Sequence, residues 1–166
     1  MNQQEKQYLK DVYGEEILIY NCEDKNLAFD IFVVLDNLSV KIELKNRYFT
    51  NDYIAKQKDI LIEIIQNVPD IKNIDVENVQ LNNLYKINTS IGWFYKCDAD
   101  RLIFFRYVQE VLFDVIDIDF KLFKGWFLNN INTFDKQYSG KTTKTINAVV
   151  KLSNVPKIFY KYICYL

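Results

Sequence analysis

Three residues in the stretch "AFDIFVVLDNLSVKIELKNRYF", positions 28–49, have the types and spacing to do chemistry: Asp30, Glu43 and Lys45. If Asp36 and Asn37 make a two-residue turn, residues whose numbers sum to 73 face each other. Leu35 then meets Leu38, Val33 meets Val40, Ile31 meets Ile42, and Asp30 meets Glu43. Directly opposed Cβ atoms lie about 4.5–5.5 Å apart, where like charges destabilise a sheet. A divalent cation between the two carboxylates converts that repulsion into coordination. Lys45, two residues beyond Glu43, falls on the same face.

This set suits phosphodiester hydrolysis. Asp30 and Glu43 would hold Mg²⁺, with Mn²⁺ able to substitute, and the Leu44 carbonyl is a candidate further ligand. The metal would acidify a bound water and neutralise charge growing on phosphorus, while Lys45 orients that water or stabilises the transition state. Two plainer readings stay open at this point. "KIELKNR" also reads as a solvated strand face laced by ion pairs, and a register summing to 75 would set Asp30 against Lys45 as an ordinary salt bridge.

Composition narrows the alternatives. The 166 residues include no histidine, which removes Ser-His-Asp and Cys-His catalysis and any imidazole base. With only four glycines, no Gly-rich phosphate loop can be written. Cys22, Cys97 and Cys164 are odd in number and widely spaced, so they suit neither a disulfide framework nor a Cys-x-x-Cys knuckle and read as reduced thiols. "MNQQEKQYLKD" lacks an apolar signal core, and no run approaches a membrane span. These features predict a cytoplasmic protein with no membrane partner.

The elements that must position the three residues follow from periodicity. "NQQEKQYLKDVY" predicts a short helix ending near Gly14, and "EILIYN" a strand. Positions 27–35 and 40–47 alternate as a hairpin, with Phe29, Ile31, Val33 and Leu35 on one face of the first strand. "DILIEII" predicts a third buried strand interrupted by Glu63, and residues 67–89 an irregular excursion. "GWFYKCDADRLIFFRYV" ends in a strand. In "DFKLFKGWFLNNINTF" the spacing of Phe120, Phe123, Phe127 and Ile131 predicts a helix, and "TINAVVKL" predicts a late strand. At 49% hydrophobic and 16% aromatic, the chain reads as one domain over 1–166.

The net charge of −1 hides an asymmetry. Residues 1–119 carry 13 Lys and Arg against 21 Asp and Glu, a balance of −8, while residues 120–166 carry eight Lys against Asp135 alone, a balance of +7. A Lys-rich C-terminal part can meet a polyanion, or it can dock on the acidic part or stay solvated. The candidates for phosphate contact are Arg47, Lys141 and Lys144, with Lys121, Lys124 and Lys136 in the same basic region. Asp98 and Asp100 read as turn and capping residues. Trp93, Phe94 and Tyr95 read as core rather than as a base-stacking surface.

An aspartate on one strand followed by Glu-x-Lys ("ELK", 43–45) on the next resembles the PD-(D/E)XK nuclease superfamily, the restriction endonuclease-like fold. "DILIEII" and "TSIGWFYKCDADRLIFFRY" are similar to downstream segments of its phage and bacterial members, so the resemblance covers about residues 27–108. Phe29 stands where the motif often has proline. The resemblance implies an α/β (α+β) fold with a central mixed β-sheet flanked by helices in an α-β-β-β-α-β core. It also implies Mg²⁺-dependent cleavage of DNA in recombination, repair, replication or restriction, in a bacterial or phage-infected cell. Asp30 and Glu43 would be the metal ligands and Lys45 the catalytic lysine. A Glu on the first helix often joins such sites, with Glu5, Glu15 and Glu16 as candidates, and Glu63 is a candidate outer ligand. The competing expectation is a non-catalytic nuclease-fold module that binds a protein or nucleic-acid partner. A homodimer stays open.

Overall fold

A computed structural model describes residues 1–22, 29–51, 56–66, 90–139 and 145–165. The chain is mixed α/β. A six-stranded mixed sheet has the order β1-β2-β3-β6-β7-β10, built from Leu18–Asn21 (β1), Ile31–Leu35 (β2), Leu38–Phe49 (β3), Arg101–Val108 (β6), Val111–Asp119 (β7) and Tyr160–Cys164 (β10). All its pairings are antiparallel except β3 with β6. A second sheet has the order β5-β4-β9-β8, from Ser90–Ile91 (β5), Asp59–Gln66 (β4), Thr145–Lys151 (β9) and Asp135–Ser139 (β8). Residues 1–57, 98–123 and 156–166 form one compact unit, and 58–97 with 124–155 form another. Among the described residues no helix is long and apolar enough to cross a membrane.

In the first unit, helix α1 (Gln3–Tyr13) starts at a capping box: the Asn2 side chain accepts from Glu5 N, and Glu5 returns the bond to Asn2 N. It stops at Gly14, whose φ of 108° is one that side chains rarely tolerate. Tyr8 and Leu9 of α1 join Ile31, Val33, Ile42, Ile103, Phe105, Tyr107 and Val115 in one core cluster. Polar groups fix how the helix lies on this cluster. Glu5, 2% exposed, accepts from Tyr107 Oη at 2.7 Å and Asn46 Nδ2 at 2.8 Å. Tyr8 Oη donates to Asp117 at 2.9 Å, and Arg101 pairs with the other oxygen of that carboxylate at 2.7 Å.

The strand predicted over "DILIEII" is β4, but it belongs to the second sheet, hydrogen-bonded to β5 and β9. Ile60, Ile62 and Ile64 are buried and alternate as expected. "GWFYK" begins as a one-turn helix, α2 (Trp93–Lys96), entered through Gly92. A Cβ on Gly92 would lie 2.4 Å from the Glu63 carbonyl oxygen and 2.7 Å from the Ile64 carbonyl carbon, so the backbone approach to β4 requires glycine here. Helix α3 (Phe120–Asn130) buries Phe120, Phe123 and Phe127 as its spacing predicts, with Ile131 buried just beyond its end. Phe94 packs on Phe127 at 4.5 Å between ring centres. Strand β9 matches the prediction over "TINAVVKL".

Strand β7 is not anticipated by the sequence reading. Its hairpin with β6 turns on Gln109 and Glu110, which adopt φ of 48° and 68° without the Asn-Gly signature such turns usually carry. The predicted excursion over 67–89 lies outside the described residues.

Two substitutions test this arrangement. Glu5→Ala removes the acceptor from the buried Tyr107 hydroxyl and from the Asn46 amide and should lower stability by about 2–4 kcal/mol, read as a fall in the denaturant midpoint, whereas Glu15→Ala on the exposed side should shift it little. Gly92→Ala should cost about 2 kcal/mol or more through overlap with the β4 backbone. A midpoint unchanged in Glu5→Ala or in Gly92→Ala would contradict the packing described.

Candidate metal and phosphate site

The hairpin forms in the register expected of a two-residue turn. Leu35 pairs with Leu38, Val33 with Val40 and Ile31 with Ile42, and Asp36 takes the positive φ of 53° that the turn needs. The alternative register, with Asp30 against Lys45, is excluded. Asp30 sits just before the start of β2 and grips β3 from both sides of Glu43. Its N–H donates to the Ile42 carbonyl at 3.0 Å, and its Oδ2 accepts from Leu44 N at 2.7 Å. The Leu44 carbonyl points to the same strand edge as its N–H, because both polar groups of a strand residue address the same neighbour.

Glu43 and Lys45 share the sheet face opposite the α1 cluster, and their side chains form a close ion pair. Glu43 is 7% exposed, whereas Asp30 is exposed. Burial pushes the Glu43 carboxyl above the ordinary carboxylate range. The Lys45 ammonium opposes that shift, and the charge and hydrogen bond of neighbouring Asp30 add to it. A carboxyl crowded by a second carboxylate holds its proton more tightly until a cation arrives. Two carboxylates and one backbone carbonyl, completed by water, fit Mg²⁺, which commonly binds through one or two protein carboxylates. Among the described residues no group of three His, Cys, Asp or Glu comes together.

Arg47, half-buried, follows Lys45 on the same face, and the parallel β3–β6 register sets it beside Arg106. Arg106 is buried, lies 3.4 Å from Asp114 and stacks over the Phe49 ring at 5.2 Å. Tyr162 Oη donates to the same Asp114 carboxylate at 3.0 Å. Nothing in the sequence reading marks Arg106, because its place beside Arg47 depends on pairing between strands about 50 residues apart.

The remaining candidates of the first unit separate from this site. Glu5 bonds Asn46, which alternates to the α1 face, so it cannot join Glu43, and Glu15 pairs with Lys10 at 3.2 Å on the exposed side of α1. Glu16 is exposed in the turn before β1. Glu63 accepts from Trp93 N at 3.2 Å at the start of α2, a local role within the second unit. Asp100 accepts from Lys41 N at 2.9 Å and pairs with Lys121 at 2.6 Å, and Asp98 pairs with Lys41 at 2.7 Å. Phe94 is buried, and Trp93 and Tyr95 are half-buried, in keeping with a packing role.

Of the basic C-terminal residues, Lys124 donates to the Tyr95 and Cys97 carbonyls at 3.2 and 2.8 Å, closing the end of α2. Lys136 donates to the Ile131 and Phe134 carbonyls at 2.8 and 2.5 Å, and its burial lowers its proton affinity. Part of the positive balance of this segment is therefore engaged within the fold. Lys141 and Lys144 lie outside the described residues.

The raised proton affinity of Glu43 makes stability depend on pH in a definite sense. Between the ordinary carboxyl value of 4.5 and the higher folded value, the native state binds more protons than the unfolded one. Stability from this group is therefore present at low pH and lost as pH rises through the folded value. Melting curves from about pH 4 to about pH 8 should show this loss in the parent and not in Glu43→Gln. Mg²⁺ should restore the parent most at the upper end, where Glu43 is deprotonated. Parallel pH profiles for the two proteins would contradict the assignment.

Comparison of the chain with protein-family models, curated proteins and solved structures finds no match.

Proposed function

We propose that the chain is a Mg²⁺-dependent nuclease of the PD-(D/E)XK kind, hydrolysing phosphodiester bonds in DNA in the cytoplasm of a bacterial or phage-infected cell. The observation that carries this reading is the convergence of Asp30 and Glu43 at the mouth of one hairpin, with Lys45 held on Glu43. The mixed sheet, with β2, β3 and β6 adjacent, is compatible with a restriction endonuclease-like core.

When bound, the ion would supply a Lewis acid and an acidified water. Asp30 and Glu43, with the Leu44 carbonyl, would hold it. Lys45, freed from Glu43 once that carboxylate turns to the metal, would orient the attacking water or meet the charge growing on the phosphoryl oxygens. Arg47, next along the same face, would receive an adjoining phosphate. The closed Glu43–Lys45 pair is also what a non-catalytic nuclease-fold module would keep, and such a module is the second reading.

Calorimetry with Mn²⁺ and cleavage assays on single-stranded, duplex and branched DNA separate the two readings. Asp30→Asn and Glu43→Gln should weaken metal binding at least tenfold and abolish cleavage. Lys45→Ala should abolish cleavage with DNA affinity changed only a fewfold, because its interaction strengthens as charge develops. DNA binding by the parent without metal-dependent cleavage would establish the second reading.

A further inference from the structure

The face that carries Glu43 and Lys45 continues across β2 to the sheet edge. Ile31 and Val33 point into the α1 cluster, so Phe32 and Val34 alternate to the opposite face. Strand β1 pairs with β2 by setting Leu18 against Val34 and Tyr20 against Phe32, which puts Leu18 and Tyr20 on that same face. Both are open to solvent, 56% and 52% exposed. Phe32 itself is held edge-on against the buried Phe29 ring at 4.6 Å, and Lys41 Nζ lies 5.6 Å over Phe29. The outcome is a row across three strands, Tyr20, Phe32 and Lys41, one pleat repeat from Asp30 and Glu43.

That repeat is about 7 Å along the strand, within the span of one nucleotide. A phosphate held at Asp30 and Glu43 would therefore bring a neighbouring base over the exposed aromatic edge. The same face of β3 carries Lys41, Glu43, Lys45 and Arg47, with Lys41 paired to Asp98 and Lys45 to Glu43, so a phosphate backbone following this face would exchange with carboxylates already in place. An intact duplex keeps its base faces stacked internally and presents none to Tyr20, whereas an unpaired base offers its face freely.

We propose that Tyr20, beside Phe32, is a stacking platform for an unpaired base flanking the scissile phosphate, and that the substrate at this site is therefore single-stranded DNA or the single-stranded portion of a larger DNA. This inference rests on the nuclease reading and specifies its substrate class. The chemistry is sequence-tolerant, because every base has a π-face.

The test uses the full chain with Ca²⁺ in place of Mg²⁺ to suppress cleavage, and a single-stranded oligonucleotide carrying one 2-aminopurine, whose fluorescence falls on stacking. The parent should quench the probe. Tyr20→Ala should lose the quench and bind the single strand roughly five- to hundredfold more weakly. Tyr20→Phe should keep both, while affinity for a blunt duplex and for Mn²⁺ stays as in the parent. If Tyr20→Ala quenches and binds as the parent does, or weakens duplex and single strand equally, the platform is wrong while the nuclease reading stands. A parent dimer that Tyr20→Ala dissolves, with no change in DNA binding, would assign the patch to a second copy of the chain and overturn the proposal. A parent that neither binds nor cuts any DNA overturns the nuclease reading and the platform with it.

Discussion

Everything at the candidate site depends on the parity of one hairpin. A strand alternates with period two, so a slip of one residue in the pairing of β2 with β3 would send Ile31, Val33 and Ile42 to the wrong face and bring the charges into the core. The burial of those three residues against α1 therefore holds Glu43 and Lys45 on the other side as firmly as any direct contact. The two-residue turn adds a second, local constraint. With Asp36 in a positive-φ conformation, the strands leave the turn in a single register, and Asp30 arrives beside Glu43.

The two faces of the six-stranded sheet use charge differently. Toward α1, each buried carboxylate is matched within the fold: Glu5 by Tyr107 and Asn46, Asp117 by Arg101 and Tyr8. These bonds dock the helix and keep polar groups satisfied where water is excluded. On the opposite face Glu43 has Lys45 for a partner but also Asp30 for a neighbour, and its carboxyl is pushed toward the neutral form. A carboxyl shifted mainly by burial, and further by a second carboxylate beside it, at a sheet position that a neutral side chain would fill at less cost marks a functional candidate.

The charge asymmetry of the chain takes on a different meaning in three dimensions. Lys124 and Lys136 act as hydrogen-bond donors to carbonyls at the ends of helical segments, and Lys121 neutralises Asp100. A count of basic residues along the chain overstates the charge free to meet a polyanion. Lys41 and Lys45, in the acidic part of the sequence, line one face of β3 with Arg47, and they too are paired, with Asp98 and Glu43.

Much of this was legible in the residues themselves. The capping box at Asn2 and Glu5, the Gly14 stop, the hairpin register and the phenylalanine spacing of α3 are local, encoded within a few residues by period and turn chemistry. From the register alone, Asp30 and Glu43 could be set opposite each other and Lys45 on their face. Other features were decided only by tertiary pairing. "DILIEII" is plainly a strand, but whether it joins the hairpin or β9 depends on partners far along the chain. Strand β7 stayed hidden because its Gln109-Glu110 turn carries none of the usual residues and its burial on both faces, from Leu112 to Ile118, leaves no alternation to read. Glu5, Glu15 and Glu16 were equivalent in sequence, and only the packing of α1 puts Glu5 on the wrong face for the site. The setting of Arg47 beside Arg106, and of Tyr20 beside Phe32 near Asp30, likewise follows from which strands become neighbours. Side-chain alternation is written locally, but adjacency between strands is chosen by the burial of whole faces.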